Sequence, residues 1–367
     1  MGPRLARITL RGFRTIRDLP EFVPGDLTVL IGPNGAGKSN FIAFFRMLSW
    51  ALATPGQLQL HVQMQGGAGR ILHDGATRTN EIFADLHIAT ADGTNRYGFR
   101  LVHAAGDTLL FTDEWNQFTP QGKTYANLPS MGAGHREANL LGRAGKTAQF
   151  TLSTLRRIIV HQFHNTSATA RIRGKWSASD SRWLKEDGAN LAPFLLRLQE
   201  QHPAHYRRIE DTLRLIAPFF AAFDLYPESD AVLLRWRELG SDQVFDVSQA
   251  SDGLLRAMAL VALLLQPAAD LPAVLILDEP ELGLHPYAIE VLAGLIRAAS
   301  KHVQVIVATQ SVTLIDQFEP EDIVVVSRPG RESTLRRLDG AALREWLENY
   351  TLSELWEKNV MGGRPGT

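Results

Sequence analysis

The feature that most constrains the fold of this sequence is a glycine-rich segment at residues 32–39, Gly-Pro-Asn-Gly-Ala-Gly-Lys-Ser. It fits the pattern G-x-x-x-x-G-K-[ST], follows a largely apolar segment at residues 27–31 that is typical of a buried strand, and precedes residues 39–52, which are apolar at helical spacing. A buried strand, a phosphate-binding loop and a helix are therefore expected in succession. A chance glycine-rich turn is a poor alternative, because both flanking segments also fit the motif.

Backbone N–H groups of such a loop, together with the positive end of the following helix, bind the phosphates of a nucleotide. We expect Lys38 to reach the β- and γ-phosphates of ATP and the Ser39 hydroxyl to bind Mg²⁺. The nucleotide-binding residues expected from the loop are Asn34, Gly35, Ala36, Gly37, Lys38 and Ser39.

Two carboxylates, Asp278 and Glu279, directly follow a second apolar run at residues 273–277. Strands that are apolar on both faces indicate a covered parallel sheet, and such sheets bind ligands at the carboxyl ends of their strands. We expect Asp278 to contact the Mg²⁺ shell and Glu279 to polarise the attacking water. The alternative is an acidic helix N-cap, which suits Glu281 better than the other two carboxylates.

The composition is ordinary for a soluble protein, with 45% hydrophobic and 21% charged residues among 367. A net charge of −1 provides no overall field that would attract nucleic acid or a membrane. The absence of cysteine excludes disulfides and thiolate-bound zinc. Because the longest apolar run, residues 257–265, is far shorter than a membrane span of about 20 residues, we expect a cytoplasmic protein without a membrane partner.

Alternating apolar stretches separated by glycine-containing turns predict an antiparallel β lobe over residues 58–160. Residues 179–223 are apolar at helical spacing, and the α/β pattern returns after residue 232. We therefore divide the chain into a first half with the β lobe (residues 1–160), a helical insertion (residues 161–235) and a second half ending in a helical segment (residues 236–367).

Between the two halves lies Ser-Gln-Ala-Ser-Asp-Gly-Leu-Leu-Arg, residues 248–256, at the start of an apolar helix. Together these motifs resemble the ABC-type ATPases of the RecF/SMC/OLD group. The loop resembles theirs as far as Asn40, and residues 8–14 resemble their first strand. Residues 279–286, Glu-Pro-Glu-Leu-Gly-Leu-His-Pro, are similar to the OLD-like "AAA family ATPase" branch. The resemblance covers residues 1–55 and 240–330 and adds Asn40 to the nucleotide-binding set.

The resemblance implies an α/β fold of the P-loop NTPase type, an ABC-ATPase head with a mostly parallel central sheet. It places residues 250–253 at the ABC signature, so Ser251 and Gly253 would contact the γ-phosphate of ATP held by a second subunit. A homodimer with ATP between the two heads follows from this. Taken alone, Ser251 is better explained as the N-cap of an ordinary buried helix. Its position 27 residues before Asp278, with both other motifs present, favours the signature instead.

Two positions depart from the family pattern. The switch position, usually histidine, is Gln310, which can form hydrogen bonds but cannot take a proton. We therefore expect slow or partner-regulated ATP hydrolysis. The Mg²⁺-contacting glutamine has Gln162 as its candidate, and a polar strand end is the alternative explanation for that residue.

Three functions remain open. About 210 residues without sustained heptads separate the loop from the signature, which excludes a long SMC-type coiled coil. The residues after Gln310 show no acidic cluster of the kind found in the TOPRIM nuclease domain of OLD proteins. A regulatory ATPase of a nucleic-acid-directed system such as bacteriophage defence, with a separately encoded effector nuclease, is the first hypothesis. A stand-alone RecF-like repair ATPase is the second, and an ABC transporter subunit is a weaker third.

Residues 156–185 could contact DNA, since seven basic side chains there are interleaved with aromatic ones. A solvated basic face is the alternative. His161 and His164 lack an evident third ligand, so we predict no metal site there. The basic residues are Arg156, Arg157, Arg171, Arg173, Lys175, Arg182 and Lys185.

Overall fold

A computed structural model describes residues 2–124 and 127–363, within which the chain forms sixteen strands and ten α-helices. The strands are β1 (Arg4–Phe13), β2 (Ile16–Phe22), β3 (Leu27–Ile31), β4 (Glu81–Thr90), β5 (Gly93–Ala104), β6 (Thr108–Pro120), β7 (Ile158–His161), β8 (Trp176–Ser177), β9 (Phe220–Phe223), β10 (Ala231–Val232), β11 (Arg235–Glu238), β12 (Val244–Asp246), β13 (Val274–Asp278), β14 (Gln304–Thr309), β15 (Ile323–Ser327) and β16 (Thr334–Arg337). The helices are α1 (Lys38–Ala51), α2 (Gln57–Met64), α3 (Lys146–Leu155), α4 (Leu191–Gln201), α5 (Pro203–Ile216), α6 (Asp252–Leu265), α7 (Pro286–Ser300), α8 (Val312–Ile315), α9 (Gly340–Leu347) and α10 (Leu352–Glu357).

The central sheet has six strands in the order β16-β15-β3-β14-β13-β7. All neighbours are parallel except β16, which runs antiparallel to β15 at the edge. The parallel arrangement brings the carboxyl ends of β3, β13, β14 and β7 to one edge. That edge carries the phosphate loop, the acidic pair and the segments that begin at Gln162 and Gln310.

Both faces of this sheet are covered, because successive side chains of its strands enter two different hydrophobic cores. In β3, Val29 and Ile31 pack with α4 to α7 on one face, whereas Leu30 packs with α1 and the β lobe on the other. In β13, Leu277 and Ile276 divide in the same way. This explains why β13 is apolar from Val274 to Leu277 and why β3 is apolar except at Thr28.

The β lobe is an antiparallel sheet in the order β2-β1-β4-β5-β6. Helix α1 packs against it through Phe41, Phe44 and Phe45, whose rings make edge contacts with one another and with Phe13 and Phe22. This packing fixes α1, and with it the phosphate loop, between the two sheets. Two helices, α2 and α3, lie within the part of the sequence for which only strands were predicted.

The helical part differs from the sequence interpretation at both ends. Residues 179–190 form no α-helix, and β9 replaces helix at the other end. The buried side chain of Asn190 accepts from the Lys185 N–H and donates to the carbonyls of Asp180 and Trp183, so it provides hydrogen-bond partners for the backbone of this irregular segment.

The predicted division of the chain at residues 235/236 falls inside β11, which pairs with β9 and β12 on its two sides. The limits of the three segments therefore remain a prediction from the sequence.

The long apolar helix α6 lies inside the larger core. Among residues 2–124 and 127–363, no helix has the length and apolar character needed to cross a membrane.

Candidate nucleotide-binding site

The phosphate loop joins β3 to α1 and has a backbone that only glycine adopts easily at two positions. Gly35 and Gly37 have φ values of 79° and 115°. A Cβ atom at Gly37 would also collide with the side chain of Ser333. Asn34, Gly35 and Ser39 are exposed at the mouth of the loop, whereas Ala36 is buried beneath it.

Lys38 lies within this loop, with only 4% of the residue exposed. Its Nζ donates to the carbonyl oxygens of Gly32 and Pro33, the second at 3.3 Å. Desolvation lowers the pKa of Lys38, and the carboxylates of Glu279, Asp278 and Glu281 oppose that shift. The ammonium group is thus held between loop carbonyls and the acidic residues of β13, where phosphate oxygens can replace the carbonyls.

Hydroxyl groups from two distant segments brace the loop, and sequence reasoning missed both. Ser333 Oγ lies 2.7 Å from the Ala36 carbonyl oxygen and 2.6 Å from Thr15 Oγ1. Asn40 Nδ2 donates to Thr15 Oγ1 at 2.7 Å, and Arg14 contacts Asn40 Oδ1 at 3.5 Å. Asn40, assigned to the site by resemblance, therefore ties α1 to the turn between β1 and β2.

The acidic pair follows the buried end of β13. Asp278 is 5% exposed, and desolvation raises the pKa of its carboxyl group, against the positive charge of Arg46. Glu279 has a φ of 45°, in the left-handed region, and its N–H donates to the Ala308 carbonyl at 2.7 Å. This backbone conformation is unfavourable by about 1 kcal/mol or more for a residue other than glycine. It turns the chain sharply out of the sheet directly after Asp278.

Gln162, which the sequence predicts as a metal contact, lies against Asp278. Its Nε2 donates to Asp278 Oδ2 at 3.1 Å and lies 2.9 Å from His164 Nδ1, while its Oε1 accepts from Arg46 at 2.5 Å. His164 Nε2 in turn lies 2.9 Å from the Asp278 carbonyl oxygen. These contacts together determine the orientation of the Gln162 amide.

The donor set suits Mg²⁺, which prefers carboxylate, amide and hydroxyl oxygens. Asp278, Gln162 and Ser39 provide one of each, and the buried Asp278 Oδ2 atom accepts from Gln162 and lies 3.6 Å from a terminal nitrogen of Arg46. Within the described ranges, no cluster of three or more His, Cys, Asp or Glu side chains forms a separate metal-binding group.

Glu281 is buried at the site and is not a helix cap, since α7 begins at Pro286 with His285 as its N-cap. Its Oε1 accepts from the Thr309 hydroxyl, and its carboxylate also accepts from the N–H of Gln310. Its Oε2 is buried without a partner among the described residues, and desolvation raises its pKa. Glu281 thus connects the loop after β13 to the switch position. The Gln310 side chain itself is exposed.

Ser251 is the N-cap of α6, and its Oγ accepts from the Leu254 N–H at 3.2 Å. A Cβ atom at Gly253 would lie 2.6 Å from the Gly283 carbonyl oxygen, so glycine is required for this close approach. Arg256 donates to the carbonyls of Leu282, Phe163 and His164. The start of α6 is therefore tied to the loop after Glu279 and to the segment after Gln162. Among the described contacts, none joins Ser251 to the phosphate loop of the same chain.

Six of the seven basic residues at 156–185 already bind partners within the chain. Arg173 donates to the carbonyls of Thr166, Val247 and Ala250 and to Asp252, which fastens the segment before α6. Arg182 lies over the exposed ring of Trp183 and, within the described part of the chain, forms no ion pair. The other bonded basic residues are Arg156, Arg157, Arg171, Lys175 and Lys185.

Comparison with known protein families identifies the family of this chain. Residues 27–316 match the family described as an AAA domain, putative AbiEii toxin, type IV TA system. The chain belongs to this family. No curated protein matches the sequence. The predicted resemblance to the "AAA family ATPase" branch is thereby confirmed at the level of the family.

Solved structures show that this AAA-family chain has the fold of an SMC head. One is an Smc head bound to the C-winged helix domain of ScpA, with 16% identity, a TM-score of 0.62, and coverage of 93% of this chain and 99% of that one. Another is an Smc head with an extended coiled coil bound to the C-terminal domain of ScpA from Pyrococcus furiosus. It has 14% identity, a TM-score of 0.61, and coverage of 94% and 99%. The α/β P-loop ATPase head predicted from the sequence is confirmed.

Proposed function

We propose that this chain binds and hydrolyses ATP at two composite sites formed between two copies of itself. The observation that carries the proposal is the meeting of Lys38, Asp278 and Glu279 at one edge of the parallel sheet. Phosphate-binding groups, a metal-binding carboxylate and a base are the parts that phosphoryl transfer to water needs.

Each residue has a separate role in this proposal. Lys38 and the loop N–H groups bind the phosphates, Glu279 polarises the attacking water, and Gln310 orients it. Asp278, Ser39 and Gln162 would hold Mg²⁺, which when bound supplies positive charge to the phosphate oxygens. Because Gln310 cannot take a proton, hydrolysis is slow or regulated by a partner.

The surface around the α6 N-terminus supports a second copy as the partner. Ser251 presents a hydroxyl at the positive end of a 14-residue helix, which favours an anion. Leu282 and Tyr287, 39% and 49% exposed, lie in the loop and helix that follow the acidic pair. A facing head would cover these apolar side chains and bring its bound γ-phosphate to Ser251 and Gly253.

We assign this ATPase to a regulatory role in a nucleic-acid-directed system such as bacteriophage defence, with the effector nuclease on a separate chain. The family description, a putative toxin of a toxin–antitoxin system, supports action together with a second component. Heads of this fold bind other proteins, since the two Smc heads were solved with parts of ScpA bound. A stand-alone RecF-like repair ATPase is the alternative.

Replacing Lys38 by Ala should weaken ATP binding about tenfold or more, because it removes a charge-assisted contact to the phosphates. Isothermal titration with ATP and Mg²⁺ measures this. Lys146→Ala is a matched control: Lys146 also follows a glycine and opens a helix, but it is exposed and lies outside the site. Equal ATP affinity of Lys38→Ala and the wild-type chain would contradict the site assignment.

We expect neither single-stranded nor duplex DNA to change the ATPase rate of the purified chain, because six of the seven basic residues are already bonded internally. A DNA-dependent increase that falls with added salt and disappears in Arg182→Ala would instead favour the RecF-like alternative. Steady-state phosphate release, measured with and without each DNA, distinguishes the two.

A further inference from the structure

Arg46 in α1 contacts both side chains that the proposed function assigns to Mg²⁺. One of its terminal nitrogens lies 2.5 Å from Gln162 Oε1 and 3.6 Å from Asp278 Oδ2. Gln162 Nε2 donates to the same Asp278 Oδ2 atom at 3.1 Å, so the three side chains contact one another. A guanidinium group thus contacts the oxygens of both residues.

This arrangement conflicts with metal binding. An amide has one oxygen, and a hard cation binds oxygen and not nitrogen. Gln162 can therefore ligate Mg²⁺ only through the Oε1 atom that now accepts from Arg46. A divalent cation on Asp278 would also repel a guanidinium group at this distance.

A second carboxylate, that of Glu186, lies close enough to feel the charge of Arg46. Gln162 N–H donates to the Glu186 carbonyl oxygen at 2.9 Å, so Glu186 lies beside the same segment. Although part of the residue is exposed, surrounding protein atoms desolvate its carboxyl group and raise its pKa, and the charge of Arg46 opposes that shift. The Arg46 side chain is 34% exposed, so solvent reaches part of it.

We propose that Arg46 is a positioning residue that competes with the metal. It neutralises Asp278 and holds Gln162 before nucleotide arrives, and it transfers to Glu186 when Mg²⁺–ATP binds. Metal loading therefore requires a side-chain exchange, and the metal dependence of nucleotide binding is set by Arg46 and Glu186 in opposite directions. This inference rests on the proposed ATP site.

The test is Mn²⁺ binding in the presence of a non-hydrolysable ATP analogue, followed by the electron paramagnetic resonance signal of free Mn²⁺. In Arg46→Ala, the Mn²⁺ concentration for half-saturation should fall about fivefold, because a partly exposed competing ion pair is removed. In Glu186→Gln it should rise about twofold or more, because Arg46 loses its second partner. The double variant should match Arg46→Ala.

Arg46→Gln, which keeps a long polar side chain, replaces Arg46→Ala if thermal unfolding shows that the alanine variant does not fold. A merely structural Arg46 would weaken analogue binding with and without metal alike. An unchanged or higher Mn²⁺ requirement in the Arg46 variant, or an unchanged or lower one in Glu186→Gln, overturns the inference. Failure of the wild-type chain to bind the analogue would instead overturn the proposed function.

Discussion

Replacing Glu279 by Gln should lower the rate of ATP hydrolysis about a hundred- to ten-thousandfold, the range expected on removing a general base. Glutamine keeps the shape of the side chain but cannot accept a proton. Binding of ATP should persist, because Lys38 and Asp278 remain in place beside the loop. The variant should therefore accumulate as an ATP-bound dimer, which light scattering after size-exclusion chromatography detects.

Two further variants show whether this loss is specific. Glu345→Gln makes the same chemical change on an exposed face of α9 and should hydrolyse ATP at the wild-type rate. Gln310→Ala removes an exposed side chain that orients water, so it should slow hydrolysis less than Glu279→Gln does. Loss of ATP binding in Glu279→Gln would show that Glu279 has a structural role. The left-handed backbone of Glu279 would be the structural feature behind such a role.

The parts of the site that the sequence predicted are those produced by local patterns. β3 was predicted with the limits that the structure shows, and β13 within one residue at each end. Each is a largely apolar run, bounded by Asp26 and Gly32 in the first case and by Pro272 and Asp278 in the second. A strand buried on both faces leaves little choice of where its ends lie. The motifs at those ends were consequently placed at the correct edge of the sheet.

The residues that sequence reasoning missed act over long separations or look ordinary locally. Thr15 and Ser333 are 318 positions apart, and neither hydroxyl belongs to a pattern. An arginine such as Arg46 on an amphipathic helix is usually interpreted as a solvated residue. Only the packing of α1 beside β7 shows that it reaches Gln162.

The irregular segment at residues 179–190 shows a second reason why part of the fold could not be predicted from the sequence. Its apolar residues Trp183 and Leu184, followed by Leu191, recur at helical spacing, yet no α-helix forms before Leu191. Gly188, with a φ of 71°, and the three hydrogen bonds of the Asn190 side chain offer the backbone an alternative to helix. Hydrophobic periodicity contains no information about such side-chain bonds.

The composite site leads to the prediction with the most mechanistic content: Ser251→Arg and Lys38→Ala chains should each be inactive alone and regain activity when mixed. In the proposed dimer, each ATP uses the phosphate loop of one chain and the α6 N-terminus of the other. Ser251→Arg should still bind ATP, because its own loop is intact, but the added bulk should prevent a second head from closing on it.

A mixed dimer contains one site with both defects and one site with neither. At a one-to-one ratio, half of the dimers are mixed, and each has one intact site of two. Activity should therefore reach at most about a quarter of the wild-type value, given random pairing of equivalent subunits. Ser153→Arg, the same substitution at an exposed serine of α3, should remain active and dimerise on ATP.

Ser251→Ala extends the test, since it removes the hydroxyl without obstructing the facing loop in a mixed dimer. Loss of the N-cap bond should destabilise α6 by about 1 kcal/mol, which thermal unfolding can measure separately. If mixtures of Lys38→Ala with either Ser251 variant stay inactive, although both chains are folded and the Ser251 variants bind ATP normally, then the site is not shared between subunits. Hydrolysis would then depend on groups from a single chain, and Ser251 would be only the N-cap of a buried helix.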